Sequence, residues 1–253
     1  MAFRFVHSSD LHLGRRFANL PEPPDTNLRG RLMEARFETI HSLARAARDH
    51  GAAHVLLAGD TFDAATPSAQ VVRQALAAMH EAEGIDWWLL PGNHDNLRNA
   101  EPVWDAISRD GPQNVHALRD GATVMLAPGV ALLPCPVPVR SSGRDLTEAL
   151  PAVETPEGTM RIGLAHGGVV DFTDSGEQIP PDRDRSAGLD YLALGDWHGA
   201  LQVSPRMRYS GTPEQDRFKH GQRGQCLVVT LDAQGATPEV SAIDTGRFLW
   251  SDM

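Results

Sequence analysis

Cysteine is nearly absent from this 253-residue chain, which carries only Cys135 and Cys226. Two thiols cannot build a disulfide framework, so a reducing compartment is the starting expectation. Long apolar runs are missing too. The most apolar stretch, Val124 to Val139, is broken by Pro128, Pro134, Pro136 and Pro138, which excludes a membrane helix there. The first residues lack the apolar core of a signal peptide, because Arg4, His7 and Asp10 interrupt it. A soluble, cytoplasmic protein without a membrane partner is therefore expected. Positive charge is also short: 23 basic against 33 acidic side chains give −10, which argues against a general nucleic-acid binder but leaves room for a local basic groove. Lysine is reduced to Lys219, and arginine supplies every other basic side chain. Arginine suits bidentate phosphate recognition, although a GC-rich genome produces the same skew without function.

What remains is ordinary for a globular protein, with 41% hydrophobic and 22% charged residues. At this length a sizeable core can be buried, and no internal repeat or long linker forces a division, so residues 1–253 are read as a single domain. The first half alternates strand and helix. Phe3 to Ser8 is a strand candidate, and Leu28 to Asp49 carries Leu32, Phe37, Ile40, Leu43 and Ala47 at near-helical spacing before Gly51. A strand at His54 to Ala58, a helix from Ser68 to Glu83 and a strand at Asp86 to Leu90 follow, and this alternation predicts parallel pairing in an α/β sheet. From Asn114 the pattern changes to short strands punctuated by Gly and Pro, ending in a hairpin around Asp232-Ala233-Gln234-Gly235. Pro21 to Asp25 and Asp171 to Gly188 read as loops.

The chemically loaded residues fall just after strand candidates, where parallel α/β sheets commonly place their sites. They are Asp10 and His12, Asp60 and Asp63, Asn93 and His94, His166, and Asp196 and His198. Singly, each has a structural explanation as a cap, a turn former or a satisfied histidine. Together they form an ordered series of oxygen and imidazole donors at strand ends. Such donors suit Mn, Fe or Zn, and the lack of thiolates argues against a structural zinc site.

The blocks Ser9-Asp10-Leu11-His12, Gly59-Asp60-Thr61-Phe62-Asp63, Gly92-Asn93-His94-Asp95, His166-Gly167 and Gly195-Asp196-Trp197-His198 resemble the calcineurin-like metallophosphoesterase superfamily. Leu11 to Arg15, Phe62-Asp63 and Tyr209 to Glu214 resemble its SbcD-type DNA repair exonuclease branch. The resemblance runs from about Phe3 to about Phe218. It implies a four-layer α/β/β/α sandwich of two mixed sheets with two divalent ions at the strand ends, Mn first and Fe or Zn as alternatives. Carried over by position, Asp10, His12 and His198 hold one ion, Asn93 and His166 the other, and Asp60 bridges them. His94 matches the catalytic histidine and Asp63 the residue that orients it. Two such ions can clamp a phosphate and supply a hydroxide for in-line attack.

One position departs from the family pattern: Asp196 stands where a His is usual. Either it turns away and water fills the gap, or it coordinates the second ion. The second alternative brings the charge of the centre close to neutral and favours Mn or Fe(II), with a bias toward phosphodiesters over dianionic monoesters. Arg15, Arg16 and Arg98, and beyond them Arg217 and Lys219, are candidates to grip substrate phosphate. Trp87 and Trp88 read as core.

Three functions compete: a Mn-dependent nuclease or phosphodiesterase acting on DNA, a phosphoesterase acting on a cyclic nucleotide or another small diester, and a non-catalytic scaffold on a degenerate site. The family resemblance also implies a homodimer and a coiled-coil ATPase partner. The capping domain and tail that would engage that ATPase are not evident before Met253, which puts the partnership in doubt.

Overall fold

Side-chain alternation along the central strands sorts the core into layers. In β2 (His54–Leu57), Val55 and Leu57 join one buried cluster and Leu56 joins another. β3 (Asp86–Leu89) does the same, with Trp87 and Leu89 on one face and Trp88 on the other. Strands that bury both faces belong inside a layered sandwich. The computed structural model describes residues 2–20, 24, 26–141, 143–169, 178–218 and 221–251. Most of the Pro21–Asp25 loop, residues 171–177 of the second expected loop and Lys219 lie outside them.

β1 (Phe3–Ser8), β2, β3 and β4 (Val115–Ala117) pair in parallel, as the strand–helix alternation predicts. β11 (Gln225–Leu231) and β12 (Glu239–Asp244) extend this sheet antiparallel on the other side of β1. The second sheet has the order β5-β6-β7-β8-β10-β9. Its strands are β5 (Val124–Ala127), β6 (Val130–Cys135), β7 (Met160–His166), β8 (Tyr191–Gly195), β9 (Leu201–Gln202) and β10 (Met207–Tyr209). Both sheets are mixed. One core cluster lies between the first sheet and its helices, a second between the sheets, and a third on the outer face of the second sheet. That outer face is covered by a short 3₁₀ turn at Leu150–Ala152, α4 (Arg183–Ser186) and loops, so the fourth layer is thin.

α1 (Leu28–Asp49) buries Leu32, Ile40, Leu43 and Ala47 and ends where Gly51 takes φ +66°. α2 (Ala69–His80) starts on Ser68, whose Oγ accepts from the Val71 N–H at 3.3 Å. α3 (Glu101–Asp110) is a helix that the sequence pattern does not predict. Only Trp104 and Ile107 of its residues are buried, too few to print a period on the sequence, though Pro102 in its first turn is a start signal. Among the described residues no helix is long and apolar enough to cross a membrane. Cys135 and Cys226 are free and buried, and burial pushes each thiol up to about 12.

Candidate metal centre

The carboxyl ends of β1, β2, β3, β7 and β8 meet along one edge of the sandwich. Beyond β1 the chain stays laced to the segment after β2: Asp10 N–H donates to Gly59 O at 3.0 Å and His12 N–H to Asp60 O at 3.0 Å. Asp10, His12, Asp60 and Asp196 all take positive φ, at 56°, 46°, 53° and 94°. Such backbone costs of order 1–3 kcal/mol per residue and concentrates at functional sites. Close approach of the strand ends depends on glycine. A Cβ at Gly195 would collide with the Ala58 carbonyl, and one at Gly59 with the His166 ring.

His12 and His198 aim their Nε2 atoms at each other across 3.3 Å. The Nδ1 of His198 donates to Asp216 Oδ2 at 2.9 Å, and the Nδ1 of His12 lies 3.2 Å from Asp63 Oδ1. With both Nδ1 atoms protonated, two lone pairs face one another, an arrangement that a cation between them resolves. Asp10 Oδ1 stands 4.0 Å and 3.8 Å from these Nε2 atoms.

A second set of donors adjoins the first through Asp60, whose Oδ2 is 3.7 Å from His12 Nε2 and 3.6 Å from His166 Nε2. His166 donates through Nδ1 to Ala58 O at 2.8 Å, which leaves its buried Nε2 without a partner. Asn93 gives its Nδ2 to Asp196 Oδ1 at 2.9 Å, and its Oδ1 is likewise buried and unpartnered. Asp196 Oδ1 is 3.7 Å from His166 Nε2, so the carboxylate faces these donors and does not turn away. Among the described residues, three clusters could hold an ion: Asp10 with His12 and His198; Asp10 with Asp60 and His166; and His12 with Asp60 and His94. Orphaned nitrogen and oxygen atoms among carboxylates, with no thiolate, fit two divalent cations.

Electrostatics agree. Burial opposes charge on His166, yet Asp60, Asp10 and Asp196 hold its pKa up at about 9. Burial lifts the Asp196 carboxyl above its ordinary range, with Asp10 and Asp60 pushing the same way. Burial and the neighbouring Asp60 lift Asp95 to about 7. These groups crowd negative charge where a cation would relieve it.

His94 sits beside this set, its ring edge-to-face with His12 at 4.7 Å between centroids. Its backbone N–H donates to Asp60 Oδ1 at 2.9 Å and its Nδ1 to the Asp63 carbonyl at 2.8 Å, which leaves Nε2 free of these bonds. Asp63 thus meets His94 through its main-chain carbonyl, while its carboxylate lies beside His12.

The arginines divide. Arg15 commits Nη1 to Asp216 Oδ2 at 2.6 Å. Arg16 and Arg217 are exposed and line an open cleft of about 860 Å³ that reaches His12, His94 and His198. Arg98 lines a separate depression with Glu101 and Arg119, away from that cleft. Two carboxylates gain importance that sequence spacing did not mark. Asp95 accepts from the Gly92 N–H at 2.7 Å and the Phe62 N–H at 3.0 Å, tying the loop after β3 to the one after β2. Asp216 gathers His198, Arg15 and Arg36, which hold its carboxyl below the usual range although burial opposes this.

A profile of the calcineurin-like phosphoesterases matches residues 3–205. The chain is 28% identical over 250 residues to an uncharacterized metallophosphoesterase, YhaO, of Bacillus subtilis strain 168. That match takes in 88% of this chain and 56% of the relative, so the chain spans little more than half of the relative's length. Solved structures share the fold at low identity. TT1561 of Thermus thermophilus superposes with a TM-score of 0.59 at 10% identity, over 97% of this chain and 100% of its own. A purple acid phosphatase, PPD1, from yellow lupin (Lupinus luteus) seeds gives 0.56 at 12%, over 97% and 52%. A dimetal phosphatase from Danio rerio gives 0.53 at 14%, over 96% and 99%.

Proposed function

We propose, for a chain that belongs to the calcineurin-like phosphoesterase family, that it is a two-metal phosphodiesterase whose substrate is DNA. The observation that carries the metal chemistry is the convergence of the His12 and His198 Nε2 atoms with the orphaned His166 Nε2 and Asn93 Oδ1 around Asp10 and Asp60. Asp10, His12 and His198 would hold one ion, Asn93, His166 and Asp196 the other, and Asp60 both. Bound there, a pair of divalent ions polarises the phosphoryl oxygens and eases attack by water at neutral pH.

The remaining work falls to the chain. His94 has its Nδ1–H committed to the Asp63 carbonyl, so it is the Nε2–H of the doubly protonated ring that would pass to the leaving oxygen, leaving the neutral imidazole. Asp60 Oδ1 fixes the His94 main chain, so the proton donor and the proposed bridging carboxylate keep one spacing. Asp196 in place of a neutral histidine lowers the charge of the centre by one, which supports a singly charged diester over a doubly charged monoester.

The cleft supports a substrate larger than the phosphate it presents. It passes Met33 and Phe37 of α1 and Val71 of α2, an apolar surface for a base, and Arg16 and Arg217 offer charge to a neighbouring phosphate. The net charge of −10 favours a second reading, a small diester that does not track an extended basic surface. Mn-dependent cleavage of end-labelled linear DNA by wild type and His94→Ala separates the two. Cleavage lost in the variant supports the nuclease. Hydrolysis of bis-p-nitrophenyl phosphate without DNA cleavage makes the small diester the substrate.

A further inference from the structure

We infer that Asp216 is a positioning residue of the metal centre: it holds His198 in the tautomer that turns Nε2 toward the first ion, and Arg36 locks it in that role. The inference rests on the metal reading of the site. Asp216 Oδ2 accepts from His198 Nδ1 at 2.9 Å and from Arg15 Nη1 at 2.6 Å, and Arg36 Nη2 lies 3.5 Å away. The side chains of Asp216 and Arg36 are each 1% exposed, so neither charge is satisfied by solvent.

Arg36 does more than balance Asp216. Its Nη1 donates to the Leu11 carbonyl at 2.6 Å and approaches the Asp10 carbonyl at 3.5 Å. One guanidinium therefore grips the main chain between Asp10 and His12 while it faces the carboxylate that orients His198. The three proposed ligands of the first ion other than the bridging Asp60 are thus all referred to this one buried cation. Arg36 and Arg15 also both lie over the Phe17 ring, at 5.6 Å and 5.4 Å from its centroid.

The segment that carries Asp216 is itself pinned. Glu214 accepts from the Arg247 and Phe248 N–H groups at 2.6 Å and 3.0 Å. Gln215 pairs its amide with Trp250 N and Trp250 O at 2.8 Å and 3.0 Å. Three consecutive side chains thus each have a fixed partner, two on residues 247–250 and one on His198. A carboxylate placed this firmly on the distal nitrogen of a ligating imidazole sets both its tautomer and its basicity, and such partners are worth about 10–100-fold in metal affinity.

The test reads the imidazole directly. Long-range ¹H–¹⁵N NMR of the metal-free protein is expected to show His198 protonated at Nδ1. In Asp216→Ala this tautomer should lose its preference, and affinity for the first Mn ion should fall about 10–100-fold. Asp216→Asn keeps an acceptor oxygen without the charge, so it should restore the tautomer and recover part of the affinity. Wild-type tautomer and wild-type Mn affinity in Asp216→Ala would overturn the inference. So would an Nε2-protonated His198 in wild type, a result that needs no variant to fold. Failure of the wild type to bind Mn, with the Nδ1 tautomer intact, would instead count against the metal reading.

Discussion

The side-chain amide of Asn93 donates to Asp196 Oδ1 at 2.9 Å, and this bond decides which end of the amide faces the metal centre. With Nδ2 committed, Oδ1 is the buried atom left for an ion. Asp196 thus acts twice on the proposed second ion, as a carboxylate beside His166 and as the partner that orients Asn93.

Asp196→His tests the first of these roles. The variant raises the charge of the loaded centre by one. A unit of charge acting on the second charge of a monoester at ~5–8 Å, with an effective dielectric of ~20, is worth about 2–3 kcal/mol before screening. The ratio of p-nitrophenyl phosphate to bis-p-nitrophenyl phosphate hydrolysis should rise about tenfold or more, and the metal preference should move toward Zn. An unchanged ratio and preference would show that Asp196 does not set specificity.

His94→Ala should lower kcat for diester hydrolysis by about 10²–10⁴-fold, the usual span for a general acid. Mn stoichiometry should stay at two per chain, because this ring donates Nδ1 to the Asp63 carbonyl and is not among the proposed ligands. Measured together, the two numbers separate proton donation from metal loss. A loss of Mn that tracks the loss of rate would recast His94 as a ligand.

Asp60→Asn keeps an acceptor for the His94 N–H but removes the charge shared between His12 and His166. Bound Mn should drop below two per chain, and activity by more than about 100-fold, the upper end for an outer partner of a metal ligand. Two tightly bound Mn ions in this variant would show that Asp60 does not bridge.

His7 supplies a pH dependence outside the metal centre. Burial between the sheets lowers its pKa to about 3, against the partial help of the Leu194 carbonyl. The neutral ring is satisfied, with Nδ1 3.1 Å from Tyr191 Oη and Nε2 3.1 Å from Leu194 O. The unfolded chain binds a proton here below about 6.5 while the folded one does not. The stability contribution of His7 is therefore intact above pH 6.5 and is lost as pH falls toward 3. Between pH 7 and 4.5 the loss is about 2–3 kcal/mol. In urea titrations with chelator, His7→Gln should lose that much less stability over the same interval than wild type. Equal losses would show that His7 is not the source.

Much of this architecture is legible in the sequence because it is local. β1 and α1 have the bounds that apolar alternation and helical spacing predict, since each buries a continuous face. The candidate ligands stand at strand ends in short contiguous blocks, so their grouping is visible before the sheets are placed side by side. α3, with two buried residues, β9, with two residues in all, and α4, with four, have too little periodic pattern to read. Asp216 is invisible for another reason. Its partners Arg36 and Arg15 come from far along the chain, and nothing in Glu214-Gln215-Asp216 announces that a buried guanidinium will meet it. Arg98 shows the converse: proximity to His94 in sequence suggests phosphate contact, yet the turn carries it to another depression.

Two divalent ions at this site are proposed to drive phosphodiester hydrolysis. The direct measurement is the rate of bis-p-nitrophenyl phosphate hydrolysis by the chelator-stripped protein as Mn is added back. No activity is expected at zero metal, and the rate should rise to saturation at two Mn per chain. Undiminished activity in the stripped protein, or tight binding of two Mn without hydrolysis, would contradict it.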